Sequence, residues 1–451
     1  MMIRYLVYLF LSFVFSTAAS AQFSTPVVIG NTGAKFANNI ITADVNNDGF
    51  KDVIASFYFN RIIWYQNVNG LTFGSEKIVD SLLDRPQFID AKDIDGDDIP
   101  ELLVSSDSAD YAKVYYYSFD TLTQNWTRHL IDDSVDVVTV RSYWCDIDQD
   151  GDPDIISCHD LKVVTYLNNG GVFSAPLTLV GQSEFYNMVV RDFNHDNFPD
   201  FVVHSAGGVR LFVNNQNLTF SDSLIVNELH GLLETADIDQ DSFDDIVFPN
   251  LQSLDCVTYR YAGNNHFVWQ QMVMFGTSGQ NPALKFNRMD ADSFPDAVYS
   301  QNTGVGAIKK GILMRYNSGT GNFGAELLID SVYNYVYVCT DDMDNDGDID
   351  IVWSASDING KFIGVTYNQQ IQTSDIEVAA APELVVYPNP SIGKFFIQSP
   401  PVDEWQVYSY TGEKLLSGIS NEVDLSTYPA GLYLLKSHNR KIKRIVVAPT
   451  N

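Results

Sequence analysis

The chain has 451 residues and a formal net charge of −30, from 27 basic and 57 acidic residues. A charge of that sign excludes nucleic acid and anionic membrane as principal partners, because both carry dense negative charge themselves. The length allows more than one buried core.

The acid is unevenly placed. Residues 383–451 carry 7 basic and 6 acidic groups, so nearly all the excess lies upstream. There are 46 Asp against 11 Glu, and 28 of the Asp fall in seven short loops. A merely solvated surface would use both acids freely. The bias points to ligand loops.

Residues 1–21 read as a secretory leader. Arg4 supplies the positive start, Tyr5 to Phe15 is apolar, and Ala19-Ser20-Ala21 is a small-residue cleavage site. The apolar run is too short to span a bilayer, which takes about 20 residues. No transmembrane anchor is expected in the mature chain.

The seven loops follow. They are DVNNDGFKD from Asp44, DIDGDDIPE from Asp93, DIDQDGDPD from Asp146, DFNHDNFPD from Asp192, DIDQDSFDD from Asp237, RMDADSFPD from Arg288 and DMDNDGDID from Asp342. Their starts recur every 45 to 54 residues. A period near that length marks a repeat architecture. Oxygen ligands at positions 1, 3, 5 and 9 suit calcium, which takes six to eight oxygens. The candidate ligands are Asp44, Asn46, Asp48 and Asp52 in loop one, and Asp93, Asp95, Asp97 and Glu101 in loop two. Loop three offers Asp146, Asp148, Asp150 and Asp154, and loop four Asp192, Asn194, Asp196 and Asp200. Loop five offers Asp237, Asp239, Asp241 and Asp245, and loop seven Asp342, Asp344, Asp346 and Asp350. Arg288 replaces the first ligand of loop six, so about six Ca2+ sites are expected there in all and loop six is expected to be empty. Its guanidinium is expected to pair with Asp290, Asp292 and Asp296. Asp98 takes the tight bend of loop two, where Gly49, Gly151 and Gly347 serve elsewhere, and strain is expected at it. Filling six sites adds 12 charges, taking −30 to −18.

Short apolar runs flank each loop, such as Asn39-Ile40-Ile41-Thr42-Ala43 before and Val53-Ile54-Ala55 after. They read as buried strands, so each loop is the turn of a β-hairpin. A third run follows, as in Ile62-Ile63-Trp64-Tyr65, then turn signals such as Asn69-Gly70 and Asn169-Gly170. A fourth run opens on an aromatic: Phe73, Trp126, Phe173, Phe220 or Phe323. Four antiparallel strands repeated seven times predict an all-β, seven-bladed β-propeller over residues 22–370. Repeat seven lacks a convincing fourth strand. Residues 22–30 have the missing pattern and are expected to close the last blade, removing the exposed edges.

These loops and strands resemble the FG-GAP or VCBS-type calcium repeats of integrin-α-like propellers. The resemblance implies calcium in the loops.

Residues 371–382 lack periodicity and read as a linker. Residues 383–451 alternate as a small C-terminal β-sandwich. The ordered motifs Tyr387-Pro388-Asn389-Pro390, Gly393-Lys394-Phe395, Tyr408 to Glu413, Asp424-Leu425-Ser426 and Pro429 to Leu435 are similar to the C-terminal sorting domain of type IX secretion in Bacteroidetes. That resemblance implies a partner in the type IX machinery, export across the outer membrane, and a secreted or surface-attached product.

Four Cys are too sparse for a disulfide scaffold, and no CxxC pair suggests zinc. If the acidic loops line one face, the opposite face carries Phe59, Arg61, Arg85, Tyr111, His159, Asp160, Phe185, Tyr186, His204, His230, Tyr333 and Tyr335. Aromatics among polar groups suit a glycan or protein ligand. The leading expectation is an extracellular binding or adhesion module. The alternative is a lyase-like polysaccharide-degrading enzyme using His159, His204 and His230 with a Tyr, since a general base must reach the substrate. A structural cell-surface role is the third reading.

Overall fold

The computed structural model describes residues 22–33, 37–57, 60–107, 112–135, 139–181, 183–227, 233–249, 256–263, 267–270, 283–301, 311–319, 321, 323–331, 333–357, 359–369, 385–398, 405–409, 414–437 and 442–448. The leader (1–21), the linker (371–382), Phe59, Tyr111 and His230 lie outside them. The chain divides into two compact units, Met1–Ile371 and Gln372–Asn451.

The first unit is built from seven antiparallel four-stranded sheets, and the described residues contain no helix. Blade 1 comprises Ala37–Ala43, Asp52–Phe57, Arg61–Tyr65 and Lys77–Asp80. Blade 2 comprises Pro86–Lys92, Glu101–Ser106, Ala112–Asp120 and Asn125–Val135. Blade 3 comprises Thr139–Cys145, Asp154–His159, Lys162–Tyr166 and Leu177–Gly181, and blade 4 Phe185–Arg191, Asp200–Ser205, Gly208–Asn214 and Phe220–Val226. Blade 5 comprises Glu234–Ala236, Asp245–Pro249, Cys256–Tyr261 and Phe267–Gln270, and blade 6 Leu284–Asn287, Asp296–Gln301, Gly311–Arg315 and Leu327–Asp330. Blade 7 takes Asn334–Asp341, Asp350–Ser356 and Lys361–Thr366 from the end of the unit and Val27–Gly33 from its start. Every acidic loop joins a first strand to a second, as the apolar runs predict.

The core lies between blades. Apolar second and third strands are buried on both faces, so each sheet needs a neighbour on each side. Trp64, Ile54 and Ile62 of blade 1 pack on Leu102, Val104 and Tyr117 of blade 2. Val352, Ile363 and Val365 of blade 7 pack on Val53, Ile63 and Tyr65 of blade 1. That last cluster closes the ring. Val27–Gly33 pairs with Lys361–Thr366, and the Ser24 N–H donates to Tyr367 O at 2.8 Å. The closing strand therefore runs three residues past the predicted 22–30.

The first strands meet around the axis, blade 7 against blade 1 included. Their axis-facing backbone would be an open edge, a hazard that side chains of the preceding blade relieve. Asn39 Oδ1 accepts the Ile89 N–H at 3.1 Å, and Asp90 Oδ2 accepts the Trp144 N–H at 2.9 Å.

One expectation needs correction. Of the five aromatics expected to open a fourth strand, only Trp126 and Phe220 do so, in blades 2 and 4. Phe73, Phe173 and Phe323 instead bridge back to Asn67, Asn168 and Asn317, before the fourth strand begins. The aromatic seals an Asn-containing turn whose purpose emerges below.

The second unit has one sheet of Val385–Tyr387, Lys394–Gln398 and Glu422–Asp424, and another of Trp405–Ser409, Lys414–Gly418, Gly431–Ser437 and Ile442–Val447. Phe395, Val407, Leu425, Leu435 and Ile445 fill the space between. Gly393 has φ 125°, and a Cβ there would stand 2.5 Å from Ser426 Cα, so only glycine fits.

Candidate functional site: the acidic loops

Each loop is folded by its own carboxylates. The position 1 side chain accepts N–H groups from the bend: Asp44 takes Asp48 (3.1 Å) and Gly49 (2.8 Å), and Asp146 takes Asp150 and Gly151 (both 3.1 Å). Asp192 takes Asp196 (3.1 Å) and Asn197 (2.8 Å), while Asp342 takes Gly347 (3.1 Å). Position 6 is left-handed at Gly49, Gly151 and Gly347, with φ of 91°, 97° and 93°. Asp98, Asn197 and Ser242 adopt the same region at 66°, 73° and 78°. Asp98 and Ser242 thus carry backbone strain there, which Asn tolerates better. Loop six follows neither habit. Arg288 offers no carboxylate, and neither Ala291 nor Ser293 is left-handed.

Position 9 begins the second strand and is buried in every loop. Its two oxygens clamp the blade. Asp350 Oδ2 accepts the Met343 N–H (2.9 Å) and Oδ1 the Asn368 N–H (2.8 Å). Asp154 does the same with Ile147 (3.0 Å) and Asn168 (2.6 Å), and Asp200 with Phe193 (3.1 Å) and Asn214 (2.8 Å). Asp52, Asp245 and Asp296 repeat the pattern, the last with Met289 (3.0 Å) and Asn317 (2.8 Å). Burial pushes these carboxyls up, to about 7 for Asp52, Asp154, Asp200 and Asp296 and about 8 for Asp245 and Asp350. Backbone donors oppose the rise, and the other carboxylates of the loop add to it. Glu101 rises to about 7, chiefly by burial.

A further residue was not singled out from the sequence. The Asn that ends the third strand donates its own Nδ2 to the preceding blade. Asn67 reaches Met343 O (2.8 Å), Asn214 Ile147 O (3.0 Å), Asn317 Ile238 O (2.8 Å) and Asn368 Met289 O (3.0 Å). The signal was present as an Asn closing the third apolar run in five repeats. It reads equally well as a turn residue, like the Asn69-Gly70 and Asn169-Gly170 signals beside it.

The carboxylates fit a divalent ion. Ligand atoms from Asp93, Asp95 and Glu101 lie within 4.8 Å of one another. So do those of Asp146, Asp148 and Asp154, of Asp237, Asp239 and Asp241, and of Asp342, Asp344 and Asp350. Asp237 Oδ1, Asp342 Oδ1 and Asp344 Oδ1 are buried without a hydrogen-bond partner. A buried carboxylate oxygen with no donor is costly unless a cation meets it. Loops one and four carry Asn46 and Asn194 at position 3, and their carboxylates are not gathered into such a cluster.

Two loops depart from expectation. In loop five Arg260 pairs with Asp239 at 2.6 Å and Asp241 at 3.0 Å, so a guanidinium already sits on two of its four ligands. In loop six Arg288 is exposed and makes no ion pair among the described residues. The internal cation thus belongs to loop five, not loop six. Arg260 lies on the third strand of blade 5, close to Asp239 and Asp241 only through pairing of strands.

The opposite end of the second strands holds the remaining candidates. His159 is fully buried with neither ring nitrogen hydrogen-bonded, and burial lowers its pKa to about 4. It therefore lines no surface. His204 is 4% exposed, with its ring edge-on to Tyr186 at 5.2 Å. Tyr186 is exposed and donates to Glu184 at 2.9 Å. Arg61 pairs with Glu76 at 2.8 Å, and Arg85 lies 4.0 Å from Asp107. Phe185 and Tyr335 are core residues, and Tyr333 stacks on Trp353 at 5.5 Å. Cys145, Cys158 and Cys339 are buried free thiols.

The FG-GAP-like repeat family matches residues 44–104 and 146–203, which hold loops one to four. The secretion system C-terminal sorting domain matches residues 385–448. No curated protein matches the chain. Among solved structures, an Agrocybe aegerita lectin whose structure concerns recognition of non-reducing terminal N-acetylglucosamine is similar at 17% identity and a TM-score of 0.50. It covers 67% of this chain and 81% of its own. BBS1N, crystallised in complex with ARL6DN, is similar at 12% identity and a TM-score of 0.52, covering 79% of this chain and 98% of its own. At such identities the likeness is one of fold. The sorting domain indicates type IX secretion to the cell surface or outside, and hence contact with that machinery. No helix among the described residues is long and apolar enough to cross a membrane.

Proposed function

We propose, for a chain that carries FG-GAP-like repeats and ends in a secretion system C-terminal sorting domain, that the propeller is a calcium-stabilised extracellular binding module. Its domains are a leader (1–21), the propeller (22–370), a linker (371–382) and the sorting domain (383–451). The observation that carries the calcium reading is the set of buried, partnerless oxygens at Asp342 and Asp344 beside the buried Asp350. Outside the cell calcium is abundant, and an ion that binds only the folded chain stabilises it by mass action. The ion's part is structural: it lets repelling carboxylates share one rigid turn.

Binding is better supported than catalysis. A general base must come within hydrogen-bond reach of its substrate. His159 is enclosed by the blade, and His204 almost so. The propeller of the Agrocybe aegerita lectin illustrates that this fold accommodates sugar recognition, although fold alone assigns no ligand. The test is a melting curve with calcium and with chelator, paired with a printed array of glycans and proteins. Chelation is expected to lower the melting temperature, and the array to show retained ligand. A melting temperature indifferent to chelator refutes the calcium role; a blank array with folded protein refutes the binding role.

A further inference from the structure

The junction of blades 2 and 3 lacks the Asn tie that four other junctions have. Asn168 stands where Asn67, Asn214, Asn317 and Asn368 reach the loop of the preceding blade. Its Nδ2 instead donates to Pro153 O of its own loop, at 3.0 Å. Across the junction, blade 2 has no Asn after its third strand and carries Glu101 at position 9. A cavity of about 540 Å³ opens at this point, within the size range of small-ligand sites.

Its walls are unlike those of a plain crevice. The Tyr116 and His129 rings are stacked, with centroids 4.3 Å apart and planes 9° from parallel. Ser118 Oγ lies 3.0 Å from His129 Nε2 and holds the imidazole in place. Facing them from blade 3, Asp152 keeps one oxygen on the Gly170 N–H at 2.7 Å, and Asn168 lines the wall with its Oδ1 on the Gly171 N–H at 2.8 Å and one Nδ2 hydrogen left over. Asp95 and Glu101 form the acidic floor.

We propose that this cavity is a carbohydrate subsite for one neutral hexose unit. The proposal rests on the reading of the propeller as a binding module, and deepens it by naming ligand class and place. A flat aromatic pair supplies apolar area with a polar rim, which suits the C–H face of a pyranose. Asp152 and Asn168 accept and donate hydrogen bonds to ring hydroxyls at fixed positions, the usual source of orientation in such pockets. Asp152, the carboxylate at the site that holds no ion, opposes uronates, sulfated sugars and phosphates. No contact between sugar and ion is required; the ion of loop two serves only to hold Asp95 and Glu101.

Trp144 packs edge-on to Tyr116, with centroids 6.1 Å apart, so tryptophan fluorescence reports on the site. The calcium-loaded full chain is titrated separately with glucose, galactose, mannose, N-acetylglucosamine and glucuronic acid. At least one neutral sugar is expected to give a saturable change and glucuronic acid none. His129→Ala is expected to weaken that sugar about tenfold, the equivalent of one lost aromatic contact, with the melting temperature unchanged. Asn168→Ala is a second, independent probe from the other blade. Tight binding of glucuronic acid overturns the inference, as does failure of every neutral sugar. Binding unmoved by either variant overturns it too, while leaving the binding-module reading standing. That broader reading falls only if the glycan and protein array is also blank.

Discussion

Loops six and seven begin 54 residues apart and differ in what their carboxylates are for. Both keep position 9 as a clamp: Asp296 holds Met289 and Asn317, and Asp350 holds Met343 and Asn368, at nearly the same distances. Both send an Asn amide to the preceding blade. Yet loop seven gathers Asp342, Asp344 and Asp350 into one cluster with two partnerless oxygens, while loop six has Arg288 turned outward. The blade therefore forms without an ion pocket. Hydrogen-bond clamp and cation site are two separable devices sharing one residue.

The strongest test of that separation removes the shared residue. Asp350→Ala and Asp296→Ala each strand two buried N–H donors, and each is expected to cost about 2–6 kcal/mol in chemical denaturation with calcium chelated. Comparable losses in the two variants support a clamp independent of the ion; a loss confined to Asp350→Ala contradicts it. With calcium restored, only the Asp350 variant should also lose calcium-dependent stabilisation.

pH separates the two devices next. In the ion-free chain the buried position 9 carboxyls keep protons up to about 7 or 8, whereas the unfolded chain releases them near 4. The folded form binds more protons across that window, so its stability falls as pH rises from about 4 to 8. Chelated protein is expected to melt lower at pH 8 than at pH 5.5, and the gap to calcium-loaded protein should widen as pH rises. A gap that narrows instead would mean that the ion does not compete with those protons.

A smaller effect is expected at the Asn tie. Asn317→Ala and Asn368→Ala each remove a buried inter-blade bond and should cost about 1–2 kcal/mol, alike in the presence and absence of calcium. Asn168→Ala, which breaks bonds only within its own blade, to Pro153 O and from the Gly171 N–H, should cost less. The smallest effect on stability comes from Arg288→Asp. Restoring the missing ligand is expected to add about one bound calcium per chain by metal analysis under saturating ion. No gain would show that the bend at Ala291 and Ser293, rather than Arg288, keeps the ion out.

Part of this was legible from the chain. The loop spacing, the hairpin at each loop and the closing strand near Val27 all follow from patterns a few residues long. Strain at Asp98 followed from seeing Asp where a left-handed bend favours Gly. The role of Asn67 and its equivalents was written in the same register but was ambiguous, since Asn beside a turn signal is first of all a turn residue. The placement of Arg260 was not legible. It lies 19 residues after Asp241, and only strand pairing brings the two together.

The sequence by itself determined the all-β repeat, the position of its acidic turns and the family of its C-terminal module, because alternation and turn chemistry act between near neighbours. Only the tertiary structure decided which carboxylates lack partners, which histidines are sealed in, and where adjacent blades fail to tie. Those outcomes depend on what one repeat meets in the next, about 50 residues away or across the closed ring. Local pattern carries no record of that meeting.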